Sequence, residues 1–182
     1  MGGSGGAQAL NQTVPEVLAG LRESLVGWHI VHQTGTRDAE ATRLRYAANG
    51  LHATILPWLD DMPGVMRQSS LAISRAGGTT LAELAATGLP AVLVPYPHAA
   101  ADHQRANARA YWSAGAAEVV DQTDGPVAFP QALNDALAHL LVHPSRRKEM
   151  REAMLLQARP AAAEKIARLI LQTAGIQPES PH

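Results

Sequence analysis

The sequence predicts an α/β fold, a parallel sheet covered by helices, and three observations carry that expectation. Short aliphatic runs alternate with helical patterns along most of the chain. The connections between those runs are long enough to hold a helix, which implies parallel pairing through right-handed crossovers. Two glycine-rich stretches, Gly2-Gly3-Ser4-Gly5-Gly6 and Gly77-Gly78, each lead directly into a helical pattern. The amino-terminal end of a helix has unpaired N–H groups and a partial positive charge, so such a turn suits a phosphate.

The elements follow in order. Residues 8–25 place Ala9, Leu10, Val14, Val17, Leu18, Leu21 and Leu25 near helical spacing, so the first glycine run opens a helix. Taken alone, that run reads as a linker scar or as a phosphate-facing loop, and the helix behind it favours the loop. Such a loop ordinarily follows a buried strand. Only Met1 stands ahead of it, so the first strand of the sheet is expected to be missing. Residues 28–33 form the next expected strand, and Asp38 caps a polar helix that ends at Asn49-Gly50. Strands at 52–56, 71–74, 91–94 and 117–120 alternate with helices at 64–68, after Gly77-Gly78, and at 100–114. From Pro126 the pattern is helical: 127–141, with Pro130 bending it or marking its start, then 145–158 and 162–174. Between Arg146 and Arg168 basic residues outnumber acidic ones seven to three, read as a solvated helical face.

Composition narrows the function classes. A chain of 182 residues is long enough for one domain with a sizeable core. With one Phe, three Trp and three Tyr, that core must be packed by Ala, Leu and Val. The net charge of −1 argues against nucleic-acid binding. The absence of cysteine removes disulfides and thiolate metal sites and fits a reducing compartment. No apolar run approaches the roughly 18 residues of a membrane span, and no signal-peptide pattern opens the chain. It reads as cytoplasmic, with peripheral membrane association left open.

Some side chains suggest chemistry. Glu83 is a lone acid in an apolar helical stretch, either solvent-facing or a ligand contact, and its place just after Gly77-Gly78 favours the ligand. His98 and His103 cluster in sequence with Asp102 beside the second, but neither the two histidines nor the adjacent Asp102-His103 pair is set at i and i+4, and no second cluster completes a site, so no metal is expected. Asp102, His103, Gln104 and Asn107 instead offer polar groups at a helix start, suited to hydroxyls or an amide. Asp60-Asp61 reads as a helix cap, and His29 and His32 as structural. No Ser–His–Asp arrangement can be assembled from spacing.

Four segments, GGSGGAQALNQ, LPWLDDM, SRAGGTTLAELAATGLPAVLVPYPHAAADHQRANA and AGAAEVVDQ, resemble successive motifs of the carboxy-terminal domain of the MurG family. These bacterial peptidoglycan transferases move N-acetylglucosamine (GlcNAc) from UDP-GlcNAc onto lipid I to give lipid II. The resemblance spans roughly residues 2–175. It implies a Rossmann-like sheet, the carboxy-terminal half of the two-domain GT-B architecture, with residues 1–125 as α/β core, 126–175 as a helical segment and 176–182 as a tail.

By the same resemblance Trp58, Leu59 and Met62 form a uracil pocket, partly through backbone groups, and Glu83 binds the ribose hydroxyls. Gly77, Gly78, Thr79 and Thr80 hold the diphosphate. His103, Gln104 and Asn107 face the GlcNAc hydroxyls, and Ser4 approaches the donor from the other side. Arg75 matches the family's arginine before the turn, in a structural or electrostatic role. No metal or cofactor is implied. The family's lipid I site, membrane-contacting patch and catalytic base belong to its amino-terminal domain. This chain is therefore expected to supply the donor half, with no catalytic residue, and to be inactive alone. The full-length family implies a peripheral location on the cytoplasmic face of the inner membrane. Two alternatives stand beside this: a nucleotide-sugar binding subunit of a split glycosyltransferase, and another GT-B transferase or epimerase.

Overall fold

The computed structural model describes residues 7–122 and 125–174. Strands and helices alternate through α1 (Gln8–Gly20), β1 (Val31–Gln33), α2 (Ala39–Ala48), β2 (Thr54–Leu56), α3 (Met62–Gln68) and β3 (Ala72–Ser74). They continue through α4 (Gly78–Thr87), β4 (Ala91–Leu93), α5 (His103–Ser113) and β5 (Ala117–Val119). Three helices close the chain: α6 (Gly125–Val142), α7 (Pro144–Leu156) and α8 (Ala162–Thr173).

All strand pairs are parallel, but they form two sheets. β1 pairs with β2, setting Val31 opposite Thr54. β4 lies between β3 and β5, with Val92 opposite Ile73 and Glu118. Among the described residues no strand joins the two sheets.

Two aliphatic cores hold the layers. In one, Leu10, Val14 and Leu18 of α1 and Leu133, Leu137 and Leu140 of α6 join Ile55 and Val92 of the sheets. In the other, Leu81, Leu84 and Ala85 of α4 pack with Leu93 of β4 and Met154 of α7. Burying each such leucine stabilises the fold by roughly 1.5–3 kcal/mol. The α4–α7 contact is close: α4 ends on Gly88 at φ +63°, where a Cβ would fall 2.8 Å from the Leu155 side chain. Gly88 therefore serves both as left-handed cap and as a packing notch.

The elements differ from the expectations in informative ways. The strand expected at 28–33 begins only at Val31, because Gly27 at φ +82° and a turn from the Trp28 amide to the Leu25 carbonyl occupy its first residues. The first helix ends at Gly20 and gives way to a 3₁₀ turn, Arg22–Leu25. Asp38 occupies the N-cap position of α2 without capping it, since its Oδ2 accepts a hydrogen bond from Asn11 instead. Asp61 does cap α3, accepting the Gly64 amide at 2.8 Å. The helix expected from 100 starts at His103, behind a 3₁₀ turn in which Ala101 and Asp102 adopt φ of 49° and 53°. Pro130 lies inside α6 rather than at its start.

The basic stretch is partly structural. Arg146 pairs with Glu118 of β5, Arg147 donates to the Leu140 and Leu141 carbonyls at the end of α6, and Arg151 donates to the Gly88 carbonyl. On α8, Ile166, Leu169 and Ile170 are exposed. Among the described residues no helix is long and apolar enough to cross a membrane.

Candidate functional site

The loops following β2, β3 and β4 each leave the carboxyl end of a parallel strand, where open α/β sheets bind ligands. After β3, Arg75-Ala76-Gly77 turns into α4. The first helical bond runs from the Leu81 amide to the Gly77 carbonyl, so the Gly78, Thr79 and Thr80 amides have no partner within the helix. Neither glycine is required by its backbone sign, and a Cβ built at Gly77 or Gly78 meets nothing within 4 Å. Their small size serves the space outside the helix rather than packing within it.

Glu83 lies five residues into the same helix, about 7.5 Å along its axis from Gly78. Its carboxylate is half-buried and has no hydrogen bond or ion pair among the described residues. An unpaired acceptor about one and a half turns behind the start of an unpaired row of donors suits a ligand with a phosphate at one end and hydroxyls at the other.

Helix α5 clamps the turn. Gln104 Oε1 accepts the Tyr96 amide at 3.0 Å and the Ala76 amide at 3.3 Å, while Asn107 Nδ2 donates to the Ala76 carbonyl at 3.1 Å. Both polar groups of the Ala76 residue are thus held by side chains three residues apart on one helical face. The clamp leaves the Gln104 NH₂ and Asn107 Oδ1 for a ligand. His103 Nδ1 bonds to the Ala100 carbonyl at 2.6 Å, which requires Nδ1 to carry the proton and leaves Nε2 as an acceptor in the neutral ring.

Arg75 is 8% exposed. Its Nη1 donates to the Val94 and Pro95 carbonyls at 3.1 and 3.2 Å, and its guanidinium lies 5.5 Å from the centre of the Tyr96 ring. No carboxylate among the described residues pairs with it, and burial pulls its pKa below the ordinary arginine value, partly opposed by Tyr96. Arg75 therefore ties the ends of β3 and β4 together and leaves positive charge behind the α4 turn.

The three residues after β2 separate. Trp58 is 59% exposed, Met62 is half-buried at the start of α3, and Leu59, 9% exposed, points into a cavity beneath the loop. Of these, only Trp58 presents most of its side chain to solvent, so a contact at Leu59 would run through its backbone. Ser4 lies outside the described residues. Among the described residues no group of three potential ligands is placed to hold a metal.

Sequence reasoning missed Tyr96, whose amide and ring join Gln104 to Arg75; its only signal was an aromatic between two prolines. It also missed a buried network at the edge of β1. Asn11 Nδ2 uses one hydrogen on the Thr34 carbonyl and the other on Asp38 Oδ2, at 3.0 and 2.9 Å. Its Oδ1 therefore accepts from His32 Nε2 at 3.0 Å, and His32 Nδ1 accepts from the Tyr46 hydroxyl at 3.0 Å. Burial holds His32 neutral, lowering its pKa to about 3, and raises that of Tyr46.

Comparison with known proteins identifies the family and the fold. Residues 1–166 match the family described as the glycosyltransferase family 28 C-terminal domain. A relative from Myxococcus xanthus, named UDP-N-acetylglucosamine--N-acetylmuramyl-(pentapeptide) pyrophosphoryl-undecaprenol N-acetylglucosamine transferase, is 39% identical over 91% of this chain and 43% of its own length. One of the same name from Acidithiobacillus ferrooxidans is 43% identical over 96% of this chain and 48% of its own. The crystal structure of Acinetobacter baumannii MurG superimposes with a TM-score of 0.83 at 34% identity, covering 94% of this chain and 50% of that one. The chain thus spans about half the length of the relatives it matches. With the family match covering most of its length and the same α/β topology, the chain belongs to the glycosyltransferase family 28 C-terminal domain family.

Proposed function

We propose that this chain is the donor-binding half of a glycosyltransferase that moves GlcNAc from UDP-GlcNAc to lipid I, the reaction for which its relatives are named. One observation carries the reading: an unpaired Glu83 carboxylate behind an open, glycine-lined helix terminus. In this assignment the amides of Gly78, Thr79 and Thr80 take the diphosphate, and Glu83 accepts from the two ribose hydroxyls. Trp58, Leu59 and Met62 border the uracil. The free NH₂ of Gln104, Asn107 Oδ1 and His103 Nε2 meet the GlcNAc hydroxyls.

The chemistry follows from charge. The acceptor oxygen forms a bond to the anomeric carbon as the bond to the β-phosphate oxygen breaks, and that electron pair leaves on UDP. Fixed N–H donors and the α4 dipole stabilise the charge that develops there, with the buried Arg75 cation behind them. The proton of the acceptor hydroxyl passes to a base outside this chain, which is why we expect no transfer by the chain alone. The lipid-linked acceptor places the whole protein peripherally on a membrane face.

Calorimetric titration with UDP, GDP and ADP tests the donor assignment. Selective binding of UDP is expected, and equal affinities for the three would sink it.

A further inference from the structure

A guanidinium taken out of water is ordinarily matched by a carboxylate. Arg75 is 8% exposed, and no carboxylate among the described residues pairs with it. Its Nη1 is spent on the Val94 and Pro95 carbonyls, and the guanidinium lies over the Tyr96 ring, 5.5 Å from the ring centre. The face of an aromatic ring carries partial negative charge, so it stabilises a cation without neutralising it. Positive charge therefore remains at the carboxyl ends of β3 and β4, two residues ahead of the N-cap of α4.

Tyr96 is fixed where it stands. Pro95 and Pro97 flank it, and a residue before a proline is confined to extended backbone. Its amide donates to Gln104 Oε1 at 3.0 Å, and its carbonyl accepts the Ala99 amide at 3.2 Å. The His98 ring meets the Tyr96 ring nearly at a right angle, with centres 5.6 Å apart. Tyr96 is nevertheless 43% exposed. An aromatic residue held by two prolines and two backbone hydrogen bonds, yet left largely uncovered, contributes little to the core. What it does cover is the guanidinium. Without the ring, water reaches that side of Arg75 and screens its field at the α4 turn.

We propose that Tyr96 is a positioning residue for the donor's phosphates. Its ring holds the Arg75 guanidinium behind the α4 turn and shields it from water, so that the charge acts on an anion at the Gly78, Thr79 and Thr80 amides. The ring carries this effect, not the hydroxyl. The proposal rests on the donor assignment, which seats the diphosphate at that turn.

The test titrates the 182-residue chain and its Tyr96→Phe and Tyr96→Ala variants with UDP and with uridine, which has the same base and ribose but no phosphate. The Phe variant keeps the ring and is expected to match the unaltered chain. The Ala variant is expected to bind UDP about tenfold more weakly, with its uridine affinity changed less than about twofold. Arg75→Met removes the charge; adding Tyr96→Ala to it should weaken UDP binding less than about twofold further, because the two residues act through one interaction. Thermal melts accompany the titrations, and Tyr96→Leu replaces the Ala variant if that form shows no cooperative transition. Unchanged UDP affinity in the Ala variant, an equal loss for UDP and uridine, or a Phe variant as weak as the Ala one each overturn the proposal. Additive losses with Arg75→Met overturn it as well. These outcomes leave the donor assignment standing, whereas an unaltered chain that binds uridine as tightly as UDP removes the diphosphate from α4 and the proposal with it.

Discussion

Gln104 and Tyr96 meet through a 3.0 Å hydrogen bond in which the side-chain oxygen of one accepts the backbone amide of the other. The same oxygen takes the Ala76 amide, so one carboxamide joins the loops that follow β3 and β4. Its NH₂ is the part left to a ligand. Replacing Gln104 by Glu keeps the acceptor and removes those donors. Q104E is expected to retain the melting temperature and UDP affinity while binding UDP-GlcNAc about tenfold more weakly, the worth of one hydrogen bond to a charged or well-placed group. Parallel titrations with the two ligands decide it: an equal loss for both would mean that Gln104 acts only through the loops.

Glu83→Ala tests the other end of the ligand. Hydrogen bonds to an ionised acceptor contribute about 1.5–3 kcal/mol each, partly recovered by water after truncation. UDP binding is expected to weaken roughly tenfold to a few hundredfold. 2′,3′-Dideoxy-UDP should bind the two forms alike. Unchanged UDP affinity would make Glu83 a surface residue.

Gly78 separates packing from binding. A Cβ there meets nothing within 4 Å and the backbone is not left-handed, so Gly78→Ala should change stability by no more than about 0.5 kcal/mol. The added methyl group stands where a phosphate must approach the amides, and UDP affinity should fall about tenfold. A urea titration and a calorimetric titration on the same sample read both. A variant that binds UDP as before would move the phosphate away from α4.

His32 predicts an acid limb in the stability curve. It is neutral in the fold with a pKa of about 3, against 6.5 when unfolded. The unfolded chain therefore binds more protons between those values. The contribution is fully present above about pH 6.5 and is lost as pH falls toward 3, at about 1.4 kcal/mol per unit. Urea midpoints at pH 7 and 4.5 measure it. His32→Gln is expected to lower stability at pH 7 and to flatten the slope; an unchanged slope would assign the acid limb to other groups.

The amino-acid sequence by itself determined the order of strands and helices, the glycine-lined start of α4, the isolation of Glu83 and the family. These are local properties: aliphatic periodicity, breakers at Gly88-Leu89-Pro90, and one acid among alanines and leucines. Asp61 was legible as a cap because a cap is a contact between near neighbours. Asp38 was not, because the competing donor, Asn11, comes from another helix, 27 residues away. The tertiary structure alone decided that Leu59 turns inward, that Gln104 and Asn107 hold the Ala76 peptide, and that His32 is locked between Asn11 and Tyr46. Each of these depends on which elements meet across the sheet. Short-range spacing does not carry that information, because burial and hydrogen-bond partners are set by residues distant in the chain.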